Sequence, residues 1–441
     1  MVQRTSAGHA AGTSTGSSDI NTAHARNNTR GDVILVLNCG SSSIKFALFD
    51  ACDEPLPREP LWRGKVQGIG GPTPGFEETG VQPFAVPLDA AQPYRSALAL
   101  IRQRITDRLD GRRITVVAHR VVHGGCKYFA PVRLDDGVIA DLRSYIPLAP
   151  LHQPFALEAM DILLREQPEV IQVACFDTAF HHTQPRIEQL LPLPHTAWER
   201  GLRRYGFHGL SYEYMAVALD ERYGSLAHGR TIVAHLGSGA SLCAMQGLRS
   251  VATTMGFSAL DGLMMGTRPG TLDPGAVIYL MEIEKLSLEQ VAHLLYNESG
   301  LLGVSGVSSE PRALLKLEAG NDAQAERARD ALALYVRRIV REIGALVAVL
   351  GGLELLVFTA GVGEHSAEIR RRVCDALGFL GLRLDPQANL ANAPCISAAG
   401  SQVVVGVEPT NEEWIAATHA CPLAADSYAL SGGPAEGDCR T

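Results

Sequence analysis

One pattern occurs once in each half of the chain: an apolar stretch, a polar residue, a turn of small residues and a second apolar stretch. The first copy is VILVLNCGSSSIKFALFD, residues 33–50, and the second is TIVAHLGSGASLCAMQ, residues 231–246. A small-residue turn with Lys45 beside it indicates phosphate binding. It is not a P-loop, because there a lysine directly follows the second glycine and leads into Ser or Thr and a helix. The stretch after the first turn alternates like a strand, so the pattern predicts a strand–turn–strand hairpin in each half.

Further apolar, β-branched runs alternate with helical patterns. Strands are predicted within residues 114–125, 169–182 and 353–366, and each run ends in glycine or polar residues. In the segment 322–352 a single helical stripe is formed by Leu332, Val336, Ile339, Ile343, Leu346 and Leu350, and a Gly-Gly pair ends it. Strands that alternate with helices indicate an α/β protein whose helices pack on the faces of a sheet.

Length, charge and cysteine content exclude several classes of protein. A chain of 441 residues is long for a single core and predicts two domains. The net charge of −8 argues against sequence-independent nucleic-acid binding. No apolar run reaches the roughly 18 to 20 residues needed to cross a bilayer. Nine scattered cysteines without a CxxC pair indicate the reduced thiols of a cytoplasmic protein.

The two ends of the chain differ in composition from the rest. Residues 1–31 are rich in Ser, Thr, Gly, Ala and Asn and contain no apolar segment typical of a secretory signal. We therefore predict a disordered tail there, with an organelle transit peptide as the alternative. Residues 426–441 are also predicted to be unstructured.

The two hairpins precede a third Gly-rich turn, TAGVGEHS, in an order that resembles the actin, hexokinase and heat-shock chaperone superfamily. The resemblance implies an α/β fold with two duplicated actin-like (ribonuclease H-like) domains and an ATP cleft between them. Both hairpins would then aim backbone N–H groups at the phosphates from opposite sides. We predict the first domain at 32–177, on the carboxylate and metal side, and the second at 178–412, on the nucleotide side. A terminal helix at 413–425 is predicted to return to the first domain.

Nine ordered segments narrow the resemblance to the acetokinase family. They are NCGSSSIKF, HRVVHGG, PLAPLHQP, FDTAFH, RYGFHGLS, HLGSGAS, MMGTRPGTLDPG, FTAGVGEHS and PTNEEW, and they extend from about Val33 to about Thr418. The resemblance implies a Mg²⁺-dependent kinase, with Mn²⁺ as a possible substitute, that transfers a phosphoryl group from ATP to acetate and gives acetyl phosphate and ADP. It also implies a homodimer whose other partners are small molecules.

The acceptor in such a reaction is a carboxylate, which is already ionised at neutral pH, so no general base is required. Because one anion must approach a polyanion, catalysis should depend on positive charge and positioning. Arg120 interrupts an apolar run and Arg268 lies in a Gly/Pro loop, whereas most arginines are solvated surface charges. Guanidinium groups suit carboxylate and phosphoryl oxygens. Asp177 ends an apolar strand, where an unpaired buried charge would be costly unless it is functional.

The resemblance implies a role for each candidate site residue. The catalytic residues are Asp177, His208, Arg268 and Arg120, and the substrate-binding residues are Arg120, Val122, Leu151, Phe207 and His152. The nucleotide-binding residues are Lys45, His235, Leu236, Gly237, Ser238, Gly239, Glu310, Pro311, Arg312, Gly361, Val362, Gly363, Glu364 and His365. Asn38 and Glu412 are the metal ligands, with Glu413 as the alternative to Glu412. Two protein ligands suit Mg²⁺, which keeps most of its waters.

Four segments depart from the usual family pattern. Ser238 and His365 each stand where asparagine is usual, and Glu310-Pro311 stand where Asp-Phe is common. Ser258-Ala259 replace a Thr-Pro pair whose proline normally lines the acyl pocket. Loss of that ring predicts that propionate is used comparatively well.

Three other functions remain open from the residues. A propionate or butyrate kinase would use the same chemistry, and a sugar kinase would place an aspartate base beside hydroxyl-recognising residues. A non-catalytic ATP clamp of the actin and chaperone type would have no need of cations at an acceptor site. Arg120, Arg268 and His208 therefore argue against the clamp.

Overall fold

The computed structural model describes residues 32–51, 55–150 and 152–430, with side chains described up to residue 424. The predictions for residues 1–31 and 431–441, and for Leu151, lie outside the described residues. Within these ranges the chain forms two β-sheets with helices packed against them. No helix in the described part of the chain combines the length and apolar character needed to span a bilayer.

The first sheet has eight strands in the order β5-β4-β3-β2-β1-β6-β8-β7. Its strands are β1 (Asp32–Cys39), β2 (Ser43–Asp50), β3 (Trp62–Gln67), β4 (Gly75–Glu78), β5 (Val81–Ala85), β6 (Arg113–Val121), β7 (Val132–Arg133) and β8 (Ile171–Phe176). Strand β1 pairs antiparallel with β2 and parallel with β6, which in turn pairs parallel with β8. The first predicted hairpin is therefore β1–β2.

The second sheet has five strands in the order β11-β10-β9-β12-β13. They are β9 (Thr231–Leu236), β10 (Ala240–Gln246), β11 (Arg249–Thr253), β12 (Leu355–Thr359) and β13 (Val404–Val407). Strand β9 pairs antiparallel with β10 and parallel with β12, which pairs parallel with β13. The strands β3-β2-β1-β6-β8 of the first sheet repeat this order and these directions. The repetition confirms the predicted duplicated α/β fold.

Fifteen α-helices are found in the described ranges. They are α1 (Pro93–Arg108), α2 (Asp136–Ser144), α3 (Gln153–Glu166), α4 (Arg186–Gln189), α5 (Thr196–Glu199), α6 (Gly209–Tyr223), α7 (Pro274–Glu282), α8 (Leu288–Asn297), α9 (Gly300–Ser305), α10 (Pro311–Leu317), α11 (Ala323–Leu350), α12 (Ala360–His365), α13 (Ala367–Ala376), α14 (Pro386–Leu390) and α15 (Glu412–Leu430). Helix α12 begins directly after β12, where the sequence indicated a Gly-rich turn.

The longest helix, α11, buries the predicted apolar stripe. Leu332, Ile339, Ile343 and Leu346 are buried against the second sheet, and Tyr335 joins them. The helix ends at Gly351, which has a left-handed φ of 71° and is the residue type that adopts this conformation without strain.

Helix α15 is the last element among the described residues, and it packs on the first sheet. It contacts β1, β6 and β8, and Ile415, Ala416 and Ala417 are buried in one cluster with Ile34 and Val36 of β1. The helix continues past the predicted boundary at residue 425 to Leu430. The extension has a local reason, because residues 426–430 contain no glycine or proline and a Gly-Gly pair follows at 432–433.

The opposite face of the first sheet is covered by α1 and α3. Leu35 and Leu37 of β1 point to this face and share a buried cluster with Ile101 and Ile105 of α1 and Ala159 of α3. The alternation of β1 side chains between the two faces follows from the period of a strand. Strands β1, β6 and β8 are thus buried on both sides, which matches their nearly continuous apolar sequences.

Candidate active site

The functional candidates from both halves of the chain converge on one cavity of about 510 Å³ between the two sheets. The predicted residues that line it are Asn38, Lys45, Arg120, Val122, His152, Asp177, Phe207, His208, His235, Gly237, Ser238, Gly239, Arg268, Gly361, Glu364 and Glu412. Glu413, the alternative to Glu412, also lines it. The turn of each hairpin and the start of α12 and α15 therefore meet at a single cleft.

The remaining candidates lie outside the lining of this cavity. Leu236 is fully buried in the core of the second sheet, and Val362 packs against the same core. Gly363 is buried, whereas His365 has an exposed side chain. The segment Glu310, Pro311 and Arg312 lies at the start of helix α10. The carbonyl of Ser309, just before it, lies close to Gly266. The N–H of Gly266 in turn donates to the carbonyl of Ser238, a cavity-lining residue, at 3.4 Å.

Arg120 holds two carboxylates on the wall that belongs to the first sheet. Its Nε donates to Asp177 Oδ1 at 3.0 Å and its Nη2 donates to Asp177 Oδ2 at 2.7 Å, a bidentate contact. Its Nη1 lies 3.3 Å from Glu412 Oε2. Arg120 lies in β6, Asp177 follows β8 and Glu412 begins α15. The ion triad therefore connects these two strands of the first sheet with the C-terminal helix.

Burial acts against charge at both carboxyl groups of this triad. Burial and the neighbouring Glu412 raise the pKa of Asp177, while Arg120 opposes the rise. At Glu412 burial also acts upward, but Arg120, His235 and Lys45 together lower its pKa. The bidentate guanidinium contact favours the ionised form of Asp177 and so limits the rise of its pKa, because it compensates the charge at hydrogen-bond distance.

Arg268 is the cation of the opposite wall, and its surroundings differ. Its Nη1 donates to the carbonyl of Ala259 at 2.8 Å. Within the described residues no carboxylate forms an ion pair with it. Burial lowers the pKa of the guanidinium to about 10, so it stays charged at neutral pH. A half-buried guanidinium without a carboxylate is suited to bind an anion from solution.

His208 is fixed by a chain of hydroxyl groups. It precedes α6 with a left-handed φ of 60°, a conformation that is strained for a non-glycine residue. Its Nδ1 lies 2.9 Å from Ser241 Oγ, and Ser241 Oγ lies 2.5 Å from Tyr212 OH. If Tyr212 donates to Ser241 and Ser241 to His208, the imidazole carries its proton on Nε2. A Cβ at Gly239 would lie 3.2 Å from that Nε2, so glycine keeps the nitrogen accessible.

A second chain of hydroxyls fixes His235. Thr410 Oγ1 donates to Ser211 Oγ at 2.8 Å, and Ser211 Oγ lies 2.9 Å from His235 Nδ1. His235 and His208 stack with their ring centroids 4.2 Å apart. Burial lowers the pKa of His235 to about 4, and burial, His235 and two arginines place the pKa of His208 well below its usual range. Both imidazoles are therefore neutral at pH 7.

The apolar part of the cavity lies beside the two arginines. Val122, Phe207, Met255 and Ala259 line it together with His152. Burial, followed by Arg268 and Arg120, lowers the pKa of His152 to about 4, so this side chain is a neutral donor or acceptor. A small pocket with apolar walls and two guanidinium groups at its mouth fits a short-chain carboxylate.

The wall of the cleft that α12 forms contains a strained turn and a buried arginine that supports it. Ala360, a cavity-lining residue, has a left-handed φ of 63°. Arg370 is fully buried, and its Nη1 donates to the carbonyls of Gly363 and Glu364 at 2.7 and 2.8 Å. The same guanidinium donates to Asn389 and to a further asparagine side chain. Arg370 thus holds α12 in place without being exposed to the cleft.

A model of the acetokinase family matches residues 33–418 of the chain. An acetate kinase of Rhodopseudomonas palustris (strain TIE-1) is 48% identical over 399 residues, which are 89% of this chain and 98% of that protein. The chain belongs to the acetokinase family.

Two solved structures extend the comparison to the fold. A propionate kinase from Francisella tularensis subsp. tularensis SCHU S4 has a TM-score of 0.82 at 31% identity, over 88% of this chain and 99% of that one. An acetate kinase from Porphyromonas gingivalis has a TM-score of 0.78 at 36% identity, over 89% of this chain and 99% of that one. The two-domain actin-like fold expected for the acetokinase family is thereby confirmed.

Membership of the acetokinase family implies ATP and a divalent metal, and the cleft offers a donor set that fits such a metal. Asn38 and Glu412 both line the cavity, and within the described residues the side-chain amide of Asn38 makes no hydrogen bond. Carboxylate and amide oxygens are hard ligands. The described part of the chain contains no cluster of three or more His, Cys, Asp or Glu side chains able to hold a metal. A metal at this site would therefore keep most of its waters.

Sequence reasoning missed the residues that orient the histidines of this acetokinase-family cleft. Ser211, Tyr212 and Ser241 are buried. The two serines end the RYGFHGLS and HLGSGAS segments, but no role was predicted for them, and Tyr212 lies in none of the nine segments. Thr410 lines the cavity and lies in the PTNEEW segment, so its proximity to the site could have been inferred. The pairing of each serine with one imidazole depends on contacts between residues that are 24 and 33 positions apart.

Proposed function

We propose that the chain is an acetate kinase, which transfers the γ-phosphoryl group of ATP to acetate and gives acetyl phosphate and ADP. In the in-line step an acetate oxygen forms a bond to the γ-phosphorus while the bond from that phosphorus to the ADP oxygen breaks. The reaction needs charge compensation more than proton transfer. The observation that carries the proposal is the convergence of Arg120, Arg268 and His208 on one cavity with an apolar recess.

The two arginines have different roles in this proposal. Arg268, which has no carboxylate partner among the described residues, binds the acetate carboxylate and the transferring phosphoryl group. Arg120 is held by Asp177 and Glu412, so its guanidinium has a fixed position beside the reacting atoms. Fixed cations need no reorganisation when charge moves to the leaving oxygen.

Neutral imidazoles supply hydrogen-bond donors without adding net charge. His208 would donate from Nε2 to an equatorial oxygen of the phosphoryl group, and His235 would donate from Nε2 to the phosphates of ATP. The stacking of the two rings makes a doubly charged pair unfavourable, which agrees with their lowered pKa values. His152 would contact the acetate carboxylate from the other side.

Mg²⁺, or Mn²⁺ in its place, would be held by Asn38 and Glu412, with Asp177 beside them. The metal would neutralise charge on the β- and γ-phosphate oxygens. Glu412 is lowered in pKa and so is available as an ionised ligand. Asn38 lies in register with Lys45 across the β1–β2 hairpin, which places the lysine beside the same phosphates.

The two sheets support a division of the chain into two domains. We propose a first domain at 32–177, a second at 178–412, and a terminal helix that returns to the first domain from residue 413. The segment Gly237, Ser238 and Gly239 would bind phosphates from the second domain. Gly361, Val362, Gly363, Glu364 and His365, with residues 310–312, would lie around the adenosine.

We propose a cytoplasmic homodimer as the working form. Helix α7 and the start of α8 carry an apolar surface in which Ile278 is 55%, Tyr279 53%, Ile283 63% and Leu288 67% exposed. Contiguous apolar surfaces of this kind are typical of protein–protein contacts. Sedimentation equilibrium should give twice the chain mass, and Ile283→Asp should shift it toward the monomer.

Propionate is the second candidate acceptor, and Ala259 is the observation that favours it. Ala259 lines the apolar recess and its carbonyl holds Arg268, so no proline ring narrows the wall there. One methylene in an apolar pocket changes the free energy of transition-state binding, and hence kcat/KM, by an amount that corresponds to about 1 to 3 kcal/mol. Ala259→Pro should therefore lower the propionate-to-acetate ratio of kcat/KM, and an unchanged ratio would mean that this residue does not set chain length.

A direct assay tests the proposed reaction. The protein is incubated with ATP, Mg²⁺ and acetate, propionate or butyrate, and the acyl phosphate is trapped as its hydroxamate. Hydroxamate should form with acetate, and its rate should fall by orders of magnitude in Arg268→Ala. Absence of hydroxamate with every short acid would reject the kinase assignment.

A further inference from the structure

A second cavity, of about 750 Å³, lies on the face of the first sheet that α1 and α3 cover. It shares no lining residue with the cleft described above. Its floor includes Leu35 and Leu37 of β1, and its roof is formed by side chains of α1 and α3. Its volume falls in the range of about 300 to 1,000 Å³ that is typical of pockets for small molecules.

The walls of this cavity are apolar side chains that the fold leaves partly uncovered. Leu98 and Leu109 of the α1 region, Ile114 of β6, and Leu163 and Val170 of the α3 region pack against the buried core without being fully buried themselves. All five line the cavity. Helices α1 and α3 therefore bury Leu35 and Leu37 of the sheet, but they leave a groove whose apolar walls are partly accessible.

The rim of the cavity carries an excess of positive charge in a chain whose net charge is −8. The charged lining residues are Arg95, Arg102, Arg112, Arg113, Arg133, Glu166 and Glu169. Arg102 of α1 is ion-paired with Glu166 of α3, and Arg112 and Arg113 lie 3.2 and 3.5 Å from aspartates outside the cavity. Arg95 and Arg133 have no ion pair in the described part of the chain.

We propose that this cavity binds an amphipathic carboxylate, a medium-chain fatty acid, with its chain on the apolar walls and its head group at Arg95 or Arg133. An apolar body is required because the walls offer aliphatic side chains, whose burial is favourable at about 25 cal/mol per Å². An anionic head is required because the unpaired rim groups are guanidiniums, which bind carboxylates through charge-assisted hydrogen bonds. The proposal does not depend on the kinase reaction.

The test uses the full chain and decanoate, below its critical micelle concentration, in isothermal titration calorimetry with ATP and acetate present at saturating concentration. Decanoate should bind saturably. Decanol, which lacks the charge, should bind with an affinity that is lower by about tenfold or more. The double variant Arg95→Glu/Arg133→Glu should lose about tenfold or more in affinity. The control is Arg165→Glu, an exposed arginine of α3 outside the cavity lining, which should bind like the wild type.

A second pair of variants addresses the apolar part of the site. Ala99 is an exposed residue of α1 that lines the cavity, so Ala99→Trp should fill it and abolish binding. Ala376→Trp, at an exposed position of α13, should leave binding unchanged. Equal binding of decanol and decanoate, displacement of decanoate by ATP and acetate, or insensitivity to both cavity variants would overturn the proposal. Binding only after removal of residues 1–30 would assign the groove to the N-terminal segment instead, and would also overturn it.

Discussion

The wall of the cleft that belongs to the first sheet carries Arg120 between two carboxylates, whereas the opposite wall carries Arg268 beside two neutral histidines. On the first wall Arg120 compensates the charges of Asp177 and Glu412 at 2.7 and 3.3 Å. On the second wall the described residues offer Arg268 only a backbone carbonyl, from Ala259. The first wall is thus a preformed ion network, and the second is a set of donors that await an anion.

The contrast shows that charge in a buried site can serve structure and ligand binding separately. Removal of one member of a buried ion network destabilises the folded protein, because the remaining charges are left buried without a partner. A buried arginine without a carboxylate partner instead lowers the stability of the folded protein, and a bound anion restores that stability. Four changes, in order of expected effect, can sharpen or break this comparison.

Arg120→Ala should have the largest effect, because it should reduce both activity and stability. It leaves Asp177 and Glu412 buried without a cation, and breaking a buried pair in this way typically costs about 3 to 5 kcal/mol. Turnover should also fall by orders of magnitude. Urea unfolding and the hydroxamate assay measure the two effects. A variant as stable as the wild type would show that the triad is not a structural network.

Arg268→Ala should cost as much activity and almost no stability. Loss of a charge that stabilises the transition state typically costs about 3 kcal/mol or more in the barrier. Its removal leaves no carboxylate unpaired, so the unfolding free energy should stay the same or rise. Arg268→Lys should rescue turnover poorly, since an ammonium cannot reproduce the planar fork. If Arg268→Ala destabilised the fold as strongly as Arg120→Ala, the difference between the walls would be wrong.

Ser241→Ala should have an intermediate effect, limited to the second wall. The substitution removes the hydroxyl between Tyr212 and His208, so the imidazole loses the contact that sets its proton on Nε2. A lost hydrogen bond of about 1 to 1.5 kcal/mol predicts a roughly tenfold lower kcat. The KM for ATP should change little, whereas Ser211→Ala, in the chain of His235, should raise it. An identical kinetic profile of the two variants would contradict separate roles for the two histidines.

The smallest effect should be a pH dependence of stability carried by the second wall. The folded-state pKa of His235 is lowered to about 4 by burial, so between pH 6.5 and 4 the unfolded chain binds more protons than the folded one. Stability from this group is therefore complete above pH 6.5 and decreases as the pH falls toward 4. Between pH 6.5 and 5.5 the wild type should lose about 1 kcal/mol more than His235→Gln. His293→Gln, at an exposed position of α8, is the control and should have the wild-type slope.

Much of the fold could be predicted from the sequence, because the two hairpins repeat a local pattern. Apolar runs such as 33–37 and 231–236 have the period and length of buried strands, and the stripe on α11 has the period of a helix. Six strands were not predicted: β3, β4, β5, β7, β11 and β13. Strand β5, for example, is exposed throughout and has no apolar alternation. The end of α15 was also missed, since no breaker stands at residue 425.

The candidate site divides in the same way between local and distant information. Arg120, Asp177 and His208 stand out because a polar residue ends an apolar run or follows a glycine-rich turn. Ser211, Tyr212 and Arg370 do not stand out, because each acts through a contact with a residue that is distant in sequence. Arg370 looks like a surface residue of an amphipathic helix, yet it is fully buried among carbonyl groups. Contacts of this kind become visible only when the chain is folded.

The position of helix α15 in the chain affects how the first sheet folds during translation. The apolar face of β1 that carries Ile34 and Val36 is covered by residues 415–420, which are synthesised after the strands of both sheets. The ribosome must add residues 178–412 between the last strand of the first sheet and this helix. At about 5 to 20 residues per second that interval lasts roughly 10 to 50 s. The apolar face of β1 that carries Ile34 and Val36 therefore lacks this cover throughout translation of the second half.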